Sequence, residues 1–246
     1  MKTVYNKTQL NPGQVMERHV YHRDQFANYL RWSHVLKIAD IGMKILDFGC
    51  GTANLLEVLY RNRYAPGLYV GLDIREKVIQ QNRLSWGHLG CAKFESVDLC
   101  DDDPLVFMPH DYDLICSFET AEHIYKPNIT RFLRNIKTCM SEKTKLLIST
   151  PCYDEKVGAA ANHIINGVVG EFTHDEFKDH LVSNGFKIEK HWGTFASQKD
   201  YKHLLTGELK VIFNKLHEYY DSNILACLMA PLFPEHSRNC IWRCSI

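Results

Sequence analysis

The stretch Lys44-Ile45-Leu46-Asp47-Phe48-Gly49-Cys50-Gly51-Thr52-Ala53-Asn54 constrains this chain more than any other. Ile45 and Leu46 begin a short apolar run of the kind that forms a buried strand. Leu55, Leu56 and Leu59 then recur at helical spacing. Two glycines, one residue apart, stand between the two patterns. A strand that turns through glycines into a helix brings backbone close to a ligand and aims helix N–H groups at it. Dinucleotide-binding turns carry a third glycine three residues after the second, where it lets helix and strand pack closely. Asn54 occupies that position, so the dinucleotide fingerprint fails.

Strand and helix signals alternate through the following residues. After a helix over Ala53–Arg61, Leu68 to Ile74 reads as a second strand with Asp73 near its end, and a helix follows from Glu76 to Leu84. Ala92 to Glu95 centre a third strand that ends at Val97-Asp98-Leu99, and Tyr112 to Ser117 form the fourth. Pro127 opens a helix on Ile129, Phe132, Leu133, Ile136 and Met140, since proline in a first turn loses no hydrogen bond. Lys145 to Ser149 form the fifth strand. Thr173-His174-Asp175-Glu176 is a capping box for a helix through Phe177, Leu181 and Val182 to Gly185. Phe186, Ile188 and Trp192 mark a sixth strand and Asn239 to Cys244 a seventh. The pattern predicts an α/β fold with a doubly wound, mostly parallel seven-stranded sheet and right-handed crossovers.

Two additions flank this core. Phe26, Tyr29, Trp32 and Leu36 predict an amphipathic helix within Arg18–Lys37, behind a polar arm. Residues 196–238 separate strands that a short hairpin would join, and they carry a helix on Tyr201, Leu204, Leu205, Leu209, Ile212, Leu216 and Tyr219. The expected organisation is a single domain over 1–246. It comprises an arm and helix (1–40), a ligand-binding core (41–195), a helical insert (196–238) and a last strand (239–246).

Lys+Arg and Asp+Glu both number 29, so no global field advertises nucleic acid or an anionic membrane. Nine cysteines without a Cys-x-x-Cys pair suit reduced thiols in a cytoplasmic protein. The longest apolar run, Ile224 to Met229 with Ala230 to Phe233 behind it, is too short to span a bilayer. His236, Cys240 and Cys244 suggest zinc, but Cys240, Trp242 and Cys244 alternate as one strand face, which favours buried thiols.

Asp73 and Asp98 both stand at predicted strand ends, where open α/β sheets bind ligands. With Asp47-x-Gly49-x-Gly51 they resemble the motif series of class I S-adenosylmethionine-dependent methyltransferases, across roughly residues 40 to 195. The resemblance implies a Rossmann-like methyltransferase fold with S-adenosylmethionine as cofactor and S-adenosylhomocysteine as product. It implies a cofactor site of Asp47, Gly49, Cys50, Gly51, Asp73, Ile74, Asp98, Leu99 and Phe118. Asp73 would take the ribose hydroxyls and Asp98 the adenine amino group, with the Leu99 amide facing the ring.

The acceptor is written less clearly. The fourth strand is followed by Ser117-Phe118-Glu119-Thr120, which is neither the Asp/Asn-Pro-Pro-aromatic motif of amino-directed DNA methyltransferases nor the Pro-Cys of C5-cytosine enzymes. Pro151-Cys152 lacks a companion cysteine motif, so Cys152 reads as a packing or loop residue. Glu119, Glu122 and His123 stand at i, i+3 and i+4, one face of a helical turn, and such a cluster could hold a divalent cation such as Mg. This segment resembles that of ubiquinone-biosynthesis O-methyltransferases and of Hen-type small-RNA 2′-O-methyltransferases. The resemblance implies His163 as a further metal ligand, though displaced in spacing, and His123 as the residue at the transfer centre. Gly193 to Tyr201 and Ala230 to Asn239 are similar to segments of phage-encoded methyltransferases of unassigned substrate, which makes Lys199, Tyr201 and Arg238 candidates for gripping a polar or anionic substrate.

The expected function is methyl transfer to a hydroxyl oxygen of a small molecule or nucleoside-like substrate. The alternatives are metal-assisted 2′-O-methylation of RNA, for which no basic tract speaks, and a non-catalytic, regulatory S-adenosylmethionine-binding protein.

Overall fold

The computed structural model describes residues 23–100, 111–153, 164–165 and 168–246. Its elements in chain order are α1 (Arg23–Leu36), β1 (Lys44–Phe48), α2 (Asn54–Arg61), β2 (Leu68–Asp73), α3 (Glu76–Trp86), β3 (Ala92–Ser96) and β4 (Leu114–Phe118). They continue with α4 (Ile129–Thr138), β5 (Lys145–Pro151), the short pair β6 (Ile164–Ile165) and β7 (Val168–Val169), α5 (His174–Ser183) and β8 (Lys187–Phe195). The chain then runs through α6 (Gln198–Tyr201), α7 (Gly207–His217) and α8 (Ser222–Met229) to β9 (Asn239–Ser245). Seven strands form one sheet in the order β3-β2-β1-β4-β5-β9-β8. The first five are parallel, and β9 lies antiparallel to both β5 and β8.

The β1 and β2 strands are almost wholly buried because both sheet faces are covered. On one face Leu46, Ile148, Cys240, Trp242 and Cys244 pack under Phe132 and Ile136 of α4 and Phe177 of α5. On the other, Ile45, Tyr69 and Ile241 meet Val35 of α1 and Leu55, Leu56 and Leu59 of α2. The alternation expected for Cys240, Trp242 and Cys244 is therefore present, and all three are buried. The capping box forms, with Thr173 Oγ1 accepting from the Glu176 N–H at 3.1 Å and Glu176 Oε2 from the Thr173 N–H at 3.3 Å.

Three expectations need correction. The third strand stops at Ser96, and Asp98 instead closes a local turn in which its carboxylate accepts the Cys100 N–H at 2.9 Å. The stripe that α1 buries is Ala27, Arg31 and Val35, while Tyr29 is exposed. The reason is that α1 packs on α8 and β8 as well as on the sheet edge, so a polar network and not an apolar surface receives its centre. The helix expected through Tyr201 to Tyr219 is broken. Leu205 and Thr206 adopt extended backbone and Gly207 has φ +51°, so α7 starts afresh there. Tyr201, Leu205 and Phe213 gather with Leu225 and Met229 of α8 into a separate small core.

Candidate active site

The carboxyl ends of β1, β2, β4 and β5 converge, and the glycine loop leaves from the first of them. Gly49 and Cys50 donate their N–H groups to the Leu72 carbonyl at 2.8 Å, so the loop hugs β2 before it turns. Gly49 has φ +83°, and a Cβ there would lie 2.2 Å from Thr120 Oγ1. Glycine is required twice over: by backbone conformation, and by the side chain from the β4 end that presses on the loop. Thr120 Oγ1 is in turn within 3.2 Å of the carbonyls of Phe48 and Phe118.

The loop and the acid of β2 are bonded directly. The Gly51 N–H donates to Asp73 Oδ2 at 3.0 Å. Arg75 donates to the same carboxylate from its backbone N–H at 3.0 Å, from Nε at 2.8 Å and from Nη2 at 2.9 Å. Burial alone would raise the Asp73 carboxyl, but these bonds hold it below the usual carboxylate range. Asp47 is buried beneath the loop and accepts the Tyr69 O–H at 2.5 Å. Burial pushes it up to about 7, against the Tyr69 bond and with help from the Asp73 charge. Ile74 is exposed beside Asp73, Leu99 is buried in the core, and Phe118 is half-buried at the end of β4. The residues expected to hold the cofactor thus lie around one end of the sheet, with Asp98 the most loosely placed of them.

The acidic segment after β4 is arranged otherwise than its spacing suggests. Only Ala121–His123 is helical, as a single 3-10 turn, and Glu119 precedes it with φ +52°. Glu119 therefore leaves the face it would share with Glu122 and His123. Its Oε1 accepts from Ser149 Oγ at 2.8 Å and its Oε2 from Asn239 Nδ2 at 2.6 Å, while Arg31 Nη1 lies 3.4 Å from Oε1. Glu122 is buried, its Oε2 3.4 Å from Thr150 Oγ1. Burial first, and the Glu119 charge second, push its carboxyl well above the usual range. The His123 side chain is 55% exposed, with Nε2 3.9 Å from Glu122 Oε1.

These donors do not fit a divalent cation. The Arg31 guanidinium already sits on Glu119, burial disfavours the charged form of Glu122, and a second cation would face the first. Among the described residues no group of three or more His, Cys, Asp or Glu is disposed to hold a metal ion, and His163 lies outside the described residues. Cys152 is buried, and contact with the Cys240 thiol together with burial pushes its own thiol up, so it is no nucleophile. Arg238 Nε is engaged by the buried Asp200 Oδ2 at 2.9 Å, beside a cavity of about 170 Å³ also lined by Thr173, His174 and His236. Tyr201 is fully buried and stacked on Phe233, leaving Lys199 as the exposed candidate of the three.

Residues 17–205 match the family model described as a methyltransferase domain. The chain belongs to this family, within the class I S-adenosylmethionine-dependent methyltransferases. It is 30% identical over 101 residues to the ubiquinone biosynthesis O-methyltransferase of Neisseria meningitidis serogroup C (strain 053442), a match covering 41% of this chain and 42% of that protein. The chain thus matches less than half the length of this curated relative. Its fold is similar to the methyltransferase in the Haloferax volcanii complex with the Trm112 activator, with TM-score 0.61, 14% identity, and 98% and 95% of the two chains covered. It is also similar to the methyltransferase domain of bacterial CtHen1, with TM-score 0.58, 16% identity, and 89% and 100% covered. The seven-stranded sheet with its antiparallel β9 accords with this methyltransferase fold.

Thr120, Tyr69, Arg75, Arg31 and Asn239 shape the site but carry no motif. Only tertiary contact brings them in. The one signal available for Arg31 is its place at the i+4 position between Ala27 and Val35, on a helix whose apolar stripe is ragged.

Proposed function

We propose that this chain transfers the methyl group of S-adenosylmethionine to a hydroxyl oxygen of a small-molecule or nucleoside-like acceptor. The observation that carries the reading is the junction of the glycine loop with Asp73, across the carboxyl ends of two adjacent parallel strands. Asp73 is the partner for the ribose hydroxyls and Asp98 for the adenine amino group. Gly49, Cys50 and Gly51 form the backbone cradle, closed by Ile74 and Phe118, with the amide of the core residue Leu99 toward the adenine ring. Asp47 lies beneath the cradle. Bound there, S-adenosylmethionine supplies an activated methyl group on a sulfonium. The chain then has to align the acceptor with it, which is a matter of proximity more than of covalent help.

His123 is the residue proposed at the transfer centre, because it lies on the turn just after β4 with its side chain 55% exposed. His123→Ala is expected to lower turnover by roughly 100-fold or more while leaving S-adenosylmethionine affinity unchanged. Isothermal titration with S-adenosylmethionine and S-adenosylhomocysteine tests the premise, and failure of both to bind sinks it. Methyl-labelled S-adenosylmethionine is then incubated with extract separated into small molecules, protein and nucleic acid. Transfer into the small-molecule fraction supports the reading. Salt-sensitive transfer into RNA replaces it with RNA methylation, and binding without transfer to any fraction replaces it with a regulatory binder.

A further inference from the structure

We infer that Arg31 of the N-terminal helix supplies a buried positive charge beside the end of β4, and that it positions Glu119 to accept a hydrogen bond from the acceptor's hydroxyl or amine. This rests on the methyl-transfer reading and names the acceptor-facing group within it. Arg31 is 5% exposed on the stripe of α1 that faces the protein, and its guanidinium reaches Glu119 Oε1 and, at 3.3 Å, Asn239 Oδ1. Asn239 is itself oriented by Thr194 Oγ1, which donates to its Oδ1 at 2.7 Å, and its Nδ2 then points at Glu119. Ser149 completes the ring. Groups from α1, β5 and β9 therefore converge on one carboxylate just after β4, and Thr194 of β8 orients one of them.

Such convergence is more than an anchor for a helix. Desolvating a guanidinium is expensive unless it is paired in good geometry, and breaking such a pair leaves an uncompensated charge. A non-glycine residue at φ +52° is held in the left-handed region that side chains disfavour. Strain held in place by many bonds is characteristic of functional positions. An ionised carboxylate has about four acceptor sites. Ser149 and Arg31 occupy those on Oε1, and Asn239 occupies one on Oε2. The side chain nevertheless stays 30% exposed, so it remains within reach of an incoming donor. The next residue, Thr120, packs on Gly49 of the cofactor loop, so Glu119 adjoins in sequence a residue that touches the methyl donor's proposed cradle. An acceptor whose nucleophile is an O–H or N–H donor fits this site.

The test uses the full chain as wild type, Glu119→Gln, Arg31→Ala and Arg31→Lys. Each is measured for S-adenosylmethionine affinity by titration, for thermal unfolding, and for transfer of labelled methyl into the small-molecule fraction of extract. Affinity for S-adenosylmethionine is expected to stay within roughly threefold, while transfer falls by on the order of 100-fold in Glu119→Gln and Arg31→Ala, the loss typical of a misplaced acceptor. Arg31→Lys is expected to recover part of the rate. Millimolar guanidinium chloride is expected to rescue Arg31→Ala but not Glu119→Gln, a difference that a purely structural role would not produce. Wild-type rates in Glu119→Gln, or an Arg31→Ala protein that binds S-adenosylmethionine but is not rescued, would overturn the inference while leaving methyl transfer intact. Should Arg31→Ala not fold, Arg31→Lys and Glu119→Gln decide the matter on the same terms. A wild type that transfers to no fraction overturns the methyl-transfer reading itself, and this inference falls with it.

Discussion

Asp47 carries a pH dependence that can be assigned to one carboxyl. Its value is pushed up to about 7 by burial, from 3.8 in the unfolded chain. Between those values the folded state binds more protons than the unfolded one, so this group's contribution to stability declines as pH rises from about 4 and is fully unfavourable above about 7. Asp47→Asn keeps an acceptor for Tyr69 and removes the charge. Without ligand it is expected to gain roughly 1–3 kcal/mol on wild type above neutrality. That gain should vanish at acid pH. A difference in melting temperature that does not change with pH would contradict the assignment. Arg75 poses the opposite question, because it occupies both oxygens of Asp73 yet its side chain is 60% exposed. In the proposed reading, where Asp73 takes the ribose hydroxyls, the guanidinium has to yield to them, so Arg75→Ala is expected to bind S-adenosylmethionine at least as tightly as wild type. A tenfold loss by titration would show instead that Arg75 contacts the ligand. At Gly49, alanine meets both the left-handed backbone and Thr120. Gly49→Ala is expected to cost about 2–3 kcal/mol, and adding Thr120→Ala should recover the overlap but not the backbone strain.

At the scale of elements, the antiparallel pair β9 and β8 extends the parallel sheet and fixes where α1, α5 and the insert can dock. Trp242 of β9 is fully buried, 5.0 Å from the Phe177 ring of α5 and 5.6 Å from that of His174. Trp242→Ala is expected to destabilise by about 3–5 kcal/mol, measured by denaturant unfolding. The α5 capping box is a separate and smaller effect. Thr173→Ala should lower stability by about 1 kcal/mol. The insert closes on itself through Tyr201, Phe213, Leu225 and Met229, and Asp221 caps α8 by accepting the N–H groups of Asn223 and Ile224. Its contact with α1 links the N-terminal helix to the last strand, so Arg31 and Asn239 meet only when both are in place.

For the whole molecule, ligand binding and folding are linked. The glycine loop bridges β1, β2 and, through Thr120, the end of β4, so a ligand seated there favours the folded state alone. At one hundred times its dissociation constant, S-adenosylmethionine is expected to add about 2.7 kcal/mol of apparent stability. For a chain of this size that is a rise of roughly 5–10 °C in melting temperature. Among the described residues no helix is long and apolar enough to cross a membrane.

The sequence by itself determined the α/β alternation, the glycine turn and the acids of β1 and β2, because these are local. Apolar runs, helical spacing and glycines at a turn report their structure within a few residues. It also determined the Thr173 cap and the buried face of β9 for the same reason. Tertiary structure decided the rest. The spacing Glu119, Glu122, His123 suggested one helical face, yet Glu119 is drawn off it by Ser149, Asn239 and Arg31. Arg31 and Asn239 lie 208 residues apart, a separation over which no periodicity or motif carries information. A charge buried at such a junction is stable only where distant donors and acceptors arrive together, and that arrival is a property of the packed fold.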